Sequence, residues 1–462
     1  MFVALAPVTA FAQPAEDDLD IPASPTPAPA PPAPVEAVPE PIRPPASPSI
    51  PTSPPSAAPV GPSPSPSASL VSLVTDAKLD ITGFVQAQGQ LDEQSQDQLL
   101  QGGSELNQDG FVVRRARVGV GRRWKHAAFN FELDANTVRG AALTLRRAEA
   151  SLILPNENNA AVPLAELVVG LSDIPFGFEM LESSRVRPFM ERTTASLAFF
   201  PGEPDIGARV EGGHGPFRYA VALLAGEPIN ERAGRNRPDP NQAKDLVGRL
   251  GVVTRPARRF TVSGGVSLVV GRGFHEGADA TKDQIEWRDL NENGAIELGE
   301  LMSVPGVAAT PSMNFERWAL GADLQLGFAT CLGWTHVIAE VVVASNLDRG
   351  LFVADPIATG IDLRHLGAYA GVVQDLGRRA YGGLRVDFYD PNLDAFDARG
   401  GSLIPVDETI TTFSPLLGAR LPYNARASVQ YDLVLDNLAR DGRGVPTDLA
   451  NNRVIARLQV DL

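Results

Sequence analysis

Arginine is the residue whose spacing in this chain could do chemistry. Lysine is scarce, occurring only as Lys78, Lys125, Lys244 and Lys282, so most positive charge sits on guanidinium groups. These are permanently charged and bind oxyanions with two parallel donors. In Phe111-Val-Val-Arg-Arg-Ala-Arg-Val118, Arg115 and Arg117 are two apart. In an extended strand they share one face with Phe111 and Val113, while Arg114 falls with Val112, Ala116, Val118 and Val120. Arg147 and Glu149 alternate with Ala148, Ala150, Leu152 and Leu154, and Arg209 alternates with Ile206, Ala208 and Val210. Arg249 stands opposite Leu250 and Val252, Arg385 opposite Leu384, Val386 and Phe388. Arg317, Asp323 and Gln325 oppose Trp318, Leu320, Ala322 and Leu324. If the apolar faces meet lipid, a charge among them at mid-depth costs roughly 2–4 kcal/mol. The arginines then face water, where a ring of them favours anions. Pairing with Glu132, Asp134, Glu149, Asp323 or Asp387 would instead brace a wall. That bracing role is the expectation for any single arginine, with some fraction of the set facing an open pore.

A second spacing points to a metal. Asp289, Asn291, Asn293, Ala295, Glu297 and Glu300 with Gly294 fit a twelve-residue calcium loop, D-x-[DN]-x-[DN]-G-x5-E. Side-chain oxygens at the first, third and fifth positions and the carbonyl of Ala295 would wrap the ion. Gly294 would make the turn and Glu300 would close the shell. No amphipathic helices flank it. The expectation is Ca2+ ordering the outer loop 272–312, with no cofactor for transport. Enzyme chemistry has no comparable signal: there is no Gly-x-Ser-x-Gly and no HExxH, and His126, His214, His275, His336 and His365 are scattered. No catalytic residues are assigned.

The elements that must carry these residues alternate with period two. In Ala128–Asn136, Phe and Leu alternate with Asn, Glu and Asp, as in a strand with one face in lipid and one in water. About sixteen such segments follow one another, with cores near 79–91, 111–122, 126–136, 141–155, 162–173, 204–213, 216–226, 243–254, 258–271, 313–328, 332–346, 362–376, 378–390, 406–420, 424–438 and 451–462. Their connections alternate between short (122–125, 212–215, 254–257, 329–331, 421–424) and long (92–110, 174–203, 227–242, 272–312, 347–361, 391–405, 439–450); only 137–140 breaks the pattern. No apolar run reaches the ~20 residues of a membrane helix. A chain of this kind spans a membrane as a closed barrel, which satisfies every backbone polar group. The fold class expected is therefore all-β, a transmembrane antiparallel barrel preceded by a disordered Pro-rich segment. With an even strand number both ends lie in the periplasm.

Composition fills in the remainder. Asp and Glu number 55 against 40 Lys and Arg, for a net charge of -15, which argues against nucleic acid as a partner. Cys331 is the single cysteine, so no intrachain disulfide forms. Residues 1–12 end in Ala10-Phe11-Ala12 and read as a signal peptide, truncated because the basic start is missing. Residues 13–68, rich in Pro, Ala and Ser, read as a disordered periplasmic tether; cell-wall contact is a second role for it, behind that of a plain spacer. The barrel occupies 69–462. At its end, Val454, Ala456, Leu458, Val460 and Leu462 share one face, with Arg457, Gln459 and Asp461 on the other.

The chain resembles the phosphate-selective porins O and P. The resemblance spans most of 79–462. It is carried by Phe111–Val118, Leu171–Glu179, Ser183–Arg185, Phe189–Arg192, Asp205–Arg209, Gly215–Val221, Asp245–Arg249 and Leu384–Pro391, in that order. It implies a sixteen-stranded homotrimeric barrel in outer-membrane lipid with a long third loop folded into the pore. The third outer connection here is 174–203, so Glu179, Glu182, Arg185, Arg187, Glu191 and Arg192 are the expected constriction. Phosphate-specific members use lysine as well as arginine, and this chain is nearly lysine-free after Lys125. The expectation is an outer-membrane porin passing small hydrophilic solutes with a preference for anions, phosphate or other oxyanions among them. A general or cation-preferring porin, or a barrel acting as an anchor, are the alternatives.

Overall fold

The computed structural model is a closed antiparallel barrel of sixteen strands. The structure describes residues 79–95, 107–138, 140–157, 162–201, 204–227, 240–399, 402–405, 407–440 and 445–462. The expected signal peptide (1–12) and Pro-rich tether (13–68) lie outside them. The strands are β1 (Asp80–Asp92), β2 (Gly110–Arg123), β3 (Ala127–Asn136), β4 (Ala142–Leu154), β5 (Ala165–Asp173), β6 (Pro204–His214), β7 (Phe217–Leu224) and β8 (Asp245–Ala257). They continue as β9 (Phe260–His275), β10 (Met313–Ala329), β11 (Trp334–Ser345), β12 (Arg364–Leu376), β13 (Ala380–Asp390), β14 (Ile410–Leu421), β15 (Ala425–Leu435) and β16 (Arg453–Asp461). Each strand pairs with its sequence neighbours. β1 closes on β16 from Phe84 opposite Asp461 to Asp92 opposite Arg453, so the wall has no free edge.

Alternation decides which side chain meets which solvent. On β10, Trp318, Leu320 and Leu324 are exposed on the outer face while Arg317 and Asp323 are buried inside. On β16, Leu458 and Val460 point out while Arg457 and Gln459 are buried within. Tight turns join the strands at one rim, as at Gly215 and Gly377, both with positive φ. At the other rim stand the long connections, some with hairpins of their own, such as Gln284–Trp287 paired with Leu301–Val304.

Among the described residues the wall has three register shifts. One lies beside the turn between β8 and β9, at Thr254/Ala257, and the other two change which side chains face inward. Between β1 and β2, Gln86 faces Arg115 but Ala87 faces Val113, leaving Arg114 as the extra residue. Phe111 and Val113, expected beside Arg115 and Arg117, therefore turn to the outer face, where Phe111 is 95% exposed. Arg114, expected on the outer face, binds inside. The inserted residue shifts the parity beyond it by one, which strict alternation could not anticipate. Between β3 and β4, Glu132 faces Arg147 and Leu133 faces Leu145. Arg146 is thereby extra, and it too is buried inside.

The apolar interior is made by one loop. Ile174, Phe176, Met180, Phe199 and Phe200 from the connection 174–203 pack on Leu224, Val247, Val269, Ala319 and Val342 of the wall. Further along, Phe189 and Met190 pack on Val373, Tyr381, Leu416 and Ile455. Inward apolar residues such as Val247 and Leu416 lie where this loop packs on the wall.

Candidate pore constriction

The loop between β5 and β6 folds into the barrel and includes one short helix, α1 (Thr194–Phe199), capped by Thr193. Its backbone is tied down by polar side chains of the wall. Glu340 on β11 accepts from the amides of Phe178 and Glu179 at 3.0 and 3.1 Å, and also from the Tyr369 hydroxyl at 3.2 Å. The Gly177 amide donates to Ser267 Oγ at 3.0 Å. Gly177 has a φ of 60°, and a Cβ there would overlap the Glu340 carboxylate, so only glycine permits this approach. Gln430 accepts from the Met190 amide at 2.9 Å. Gln86 donates to the Ser184 carbonyl at 2.9 Å, and Gln459 and Arg426 donate to that of Arg185 at 3.0 and 2.6 Å. These anchors run over β9, β11, β15, β16 and β1. The inner face of β3 to β7 lies opposite.

Charge pairing sets the electrostatics. Glu191 receives Arg114 through two bonds, 2.7 and 2.8 Å, with Arg457 at 3.0 Å and Arg115 at 3.5 Å. Burial pushes its carboxyl up, but Arg114 and Arg115 overcome this and hold it well below the ordinary carboxylate range. Asp173, at the root of the loop, is shared by Arg146 at 2.6 Å and by Arg147, while its carbonyl accepts from Arg209 at 2.6 Å. Glu179 meets Arg385 at 3.3 Å and accepts from the Thr193 hydroxyl at 2.6 Å. Burial raises its carboxyl, and Arg385 and Arg187 more than reverse that. Glu182 differs: burial dominates over the attraction of Arg187, 3.8 Å away, and the group is pushed up to about 7.

All seven arginines expected on the pore path are inward, and each has a carboxylate beside it. Arg115 meets Glu191 and Arg147 meets Asp173, as above. Arg117 meets Asp134 at 2.8 Å and Glu132 at 3.8 Å. Arg209 meets Glu211 at 3.0 Å, Arg249 meets Asp323 at 2.9 Å and Arg317 meets Asp245 at 3.1 Å. Arg385 meets Glu179 and, at 3.8 Å, Asp387. In the loop, Arg187 is buried and donates to the Glu182 carbonyl at 2.9 Å. Arg192 is buried, and Arg185 reaches Asp461 at 3.3 Å with about a third of its side chain open to water. Sequence reasoning missed Arg114, Arg146, Arg426 and Glu340. For the first two a signal exists: adjacent arginines at 114–115 and 146–147, both needing water, require an extra residue in the strand.

Away from the pore, the loop Asp289–Glu300 sits at the tip of the hairpin Gln284–Trp287/Leu301–Val304. Asp289 accepts from the amides of Asn293 and Gly294 at 3.1 and 2.8 Å, and Ala295 donates to Asn293 at 2.6 Å. Glu297 binds the Asn293 side chain at 2.9 Å. Asn291 donates its side-chain amide to Glu297 at 3.4 Å. Glu300 accepts from the Trp287 indole and the Leu290 amide. Among the described residues no group of three or more His, Cys, Asp or Glu side chains is placed to hold a metal.

Residues 85–258 match the family described as phosphate-selective porin O and P. Over that stretch the chain is similar to this family. The solved structures share its barrel. Pseudomonas putida OprB is 12% identical with a TM-score of 0.51, covering 84% of this chain and 95% of its own. DcaP, an outer membrane channel of Acinetobacter baumannii, is 10% identical with a TM-score of 0.50, covering 83% and 97%. An anion-selective porin from Comamonas acidovorans is 10% identical with a TM-score of 0.47, covering 83% and 99%. No curated protein matches. The family match over that stretch and the shared barrel point to an outer-membrane porin channel rather than an enzyme.

Proposed function

We propose that this porin lets small hydrophilic solutes diffuse through its lumen and prefers anions. One observation carries the preference. Five guanidinium groups, those of Arg114, Arg115, Arg457, Arg146 and Arg147, gather at the loop around Glu191 and Asp173. Guanidinium groups clustered along a confined aqueous path raise the local anion concentration. Phosphate and other oxyanions suit these guanidinium forks, although no lysine accompanies them.

Purified protein in a planar bilayer under a potassium chloride gradient tests this. The expected reversal potential has the sign of chloride, and added phosphate lowers the chloride current if an oxyanion is held. A cation-selective potential overturns the preference, and a silent bilayer overturns the channel in favour of an anchoring barrel.

The barrel works in this reading as a homotrimer, with its N-terminal tether in the periplasm as a spacer or cell-wall contact. A concave patch of about 770 Å³ on the outer face of β14, β15, β16, β1 and β2 supports the trimer. It is floored by Ala87, Gly89, Ala419, Ala427 and Ala456, which let another apolar wall approach closely. A monomeric mass in detergent argues against it. Calcium at Asp289–Glu300 rests on the motif spacing and on the left-handed Gly294; calcium titration without heat or protection of the loop from protease argues against it.

A further inference from the structure

Below the constriction, on the side of the tight turns, the wall of β5 to β8 holds a recess of about 400 Å³. Its charged groups are Arg123, Glu166, Glu211, Arg218 and Arg249. Its roof is Leu181, the tip of the pore loop, 40% exposed. Four of these five charges are already committed. Arg123 is bound to Glu166 at 2.7 Å, Arg249 to Asp323 at 2.9 Å, and Glu211 to Arg209 at 3.0 Å. Arg218 is not. Its Nη1 donates to the carbonyls of Gly215 and Phe217 at 2.8 and 2.7 Å, and among the described residues no carboxylate pairs with it. Gly213 and Gly251 flank it on the inner face, where a Cβ would crowd or meet its side chain, so small residues keep the space around this guanidinium open.

We propose that this recess is a solute subsite for a small monocarboxylate with an apolar body. This rests on the anion-preferring porin reading and names a substrate class for it. The charge arithmetic is local: three neutralised pairs and one cation leave a single positive charge, matched by one carboxylate. A carboxylate at Arg218 would take a charge-assisted hydrogen bond from Nε or Nη2. The apolar portion would lie under Leu181 and against Ala220, shedding water from both surfaces. Inorganic phosphate has nothing to offer that roof and carries more charge than the site balances.

Block of chloride current by benzoate, compared with phosphate, tests the proposal in single channels. Benzoate should block at lower concentration than phosphate, and more strongly from the turn side. R218A should raise the half-blocking concentration about tenfold, the loss of one charge-assisted pair. L181N should weaken benzoate block while leaving phosphate block as it was. R378A, at a turn on the far side of the same rim, should keep wild-type block. An anion-selective channel that benzoate fails to block overturns the subsite and leaves the porin reading standing. Equal weakening by R378A and R218A overturns it in favour of diffuse rim charge. A cation-selective or silent channel overturns both readings.

Discussion

At the scale of single residues, the loop is held by groups that tolerate little change. Gly177 lies in the left-handed region against the Glu340 carboxylate. G177A should cost about 1–3 kcal/mol in strain and overlap, read as a lower unfolding temperature by circular dichroism and an altered single-channel conductance. Unchanged values in both would show that the loop does not depend on this approach. Glu182 gives the pore a pH response. Its carboxyl is raised from 4.5 to about 7, so the folded protein binds this proton more tightly than the unfolded chain. Stability from this group is therefore full below about 4.5 and is lost as pH rises through about 7. In the pore the same titration adds a negative charge beside Arg187 as pH rises. Chloride preference should fall between pH 6 and 8, measured as a reversal potential; E182Q should flatten the change.

At the scale of elements, the strands were legible and the loop's path was not. Period-two alternation over about sixteen segments marks strands between lipid and water, because each misplaced charge costs too much to persist. That 174–203 enters the pore was implied by the family resemblance, through its place as the third outer connection. Its path did not, since anchors such as Glu340, Gln430 and Gln459 look in sequence like any other inward polar residue. Arginines 115, 117, 147, 209, 249, 317 and 385 could be placed on the inner face, yet their partners could not be chosen, because pairing depends on neighbouring strands whose register bulges alter. The bulge at Arg114 can be probed directly. Deleting Arg114 would restore strict alternation with Phe111 and Val113 still outward and Val112 still inward, because every existing cross-strand pairing is kept. The expected result is a barrel that still folds, seen as the compact, fast-migrating species in unheated electrophoresis, with a single-channel conductance altered by the loss of the Arg114 bonds to Glu191. Loss of the compact species would mean that the register depends on the bulge.

At the scale of the whole molecule, tight turns at one rim and long connections at the other give the barrel a direction. Cys331 is exposed in the turn between β10 and β11 and is the only thiol in the chain. In intact cells a maleimide too bulky for the pore should leave it unlabelled, and labelling should appear once the outer membrane is opened. Labelling of intact cells at full yield would invert the barrel and set the acidic hairpin around Asp289–Glu300 on the inner side. Closure also depends on the last strand, because β16 meets both β15 and β1. The seam forms only when β16 has paired with β1.

The pore loop is fastened along its length, from Gly177 on Ser267 to Met190 on Gln430. A filament stitched down at so many points behaves as a fixed sill, with no hinge about which to swing. Traffic through such an opening should be ungated at moderate voltages, its flux proportional to concentration and its sieving set once, at assembly.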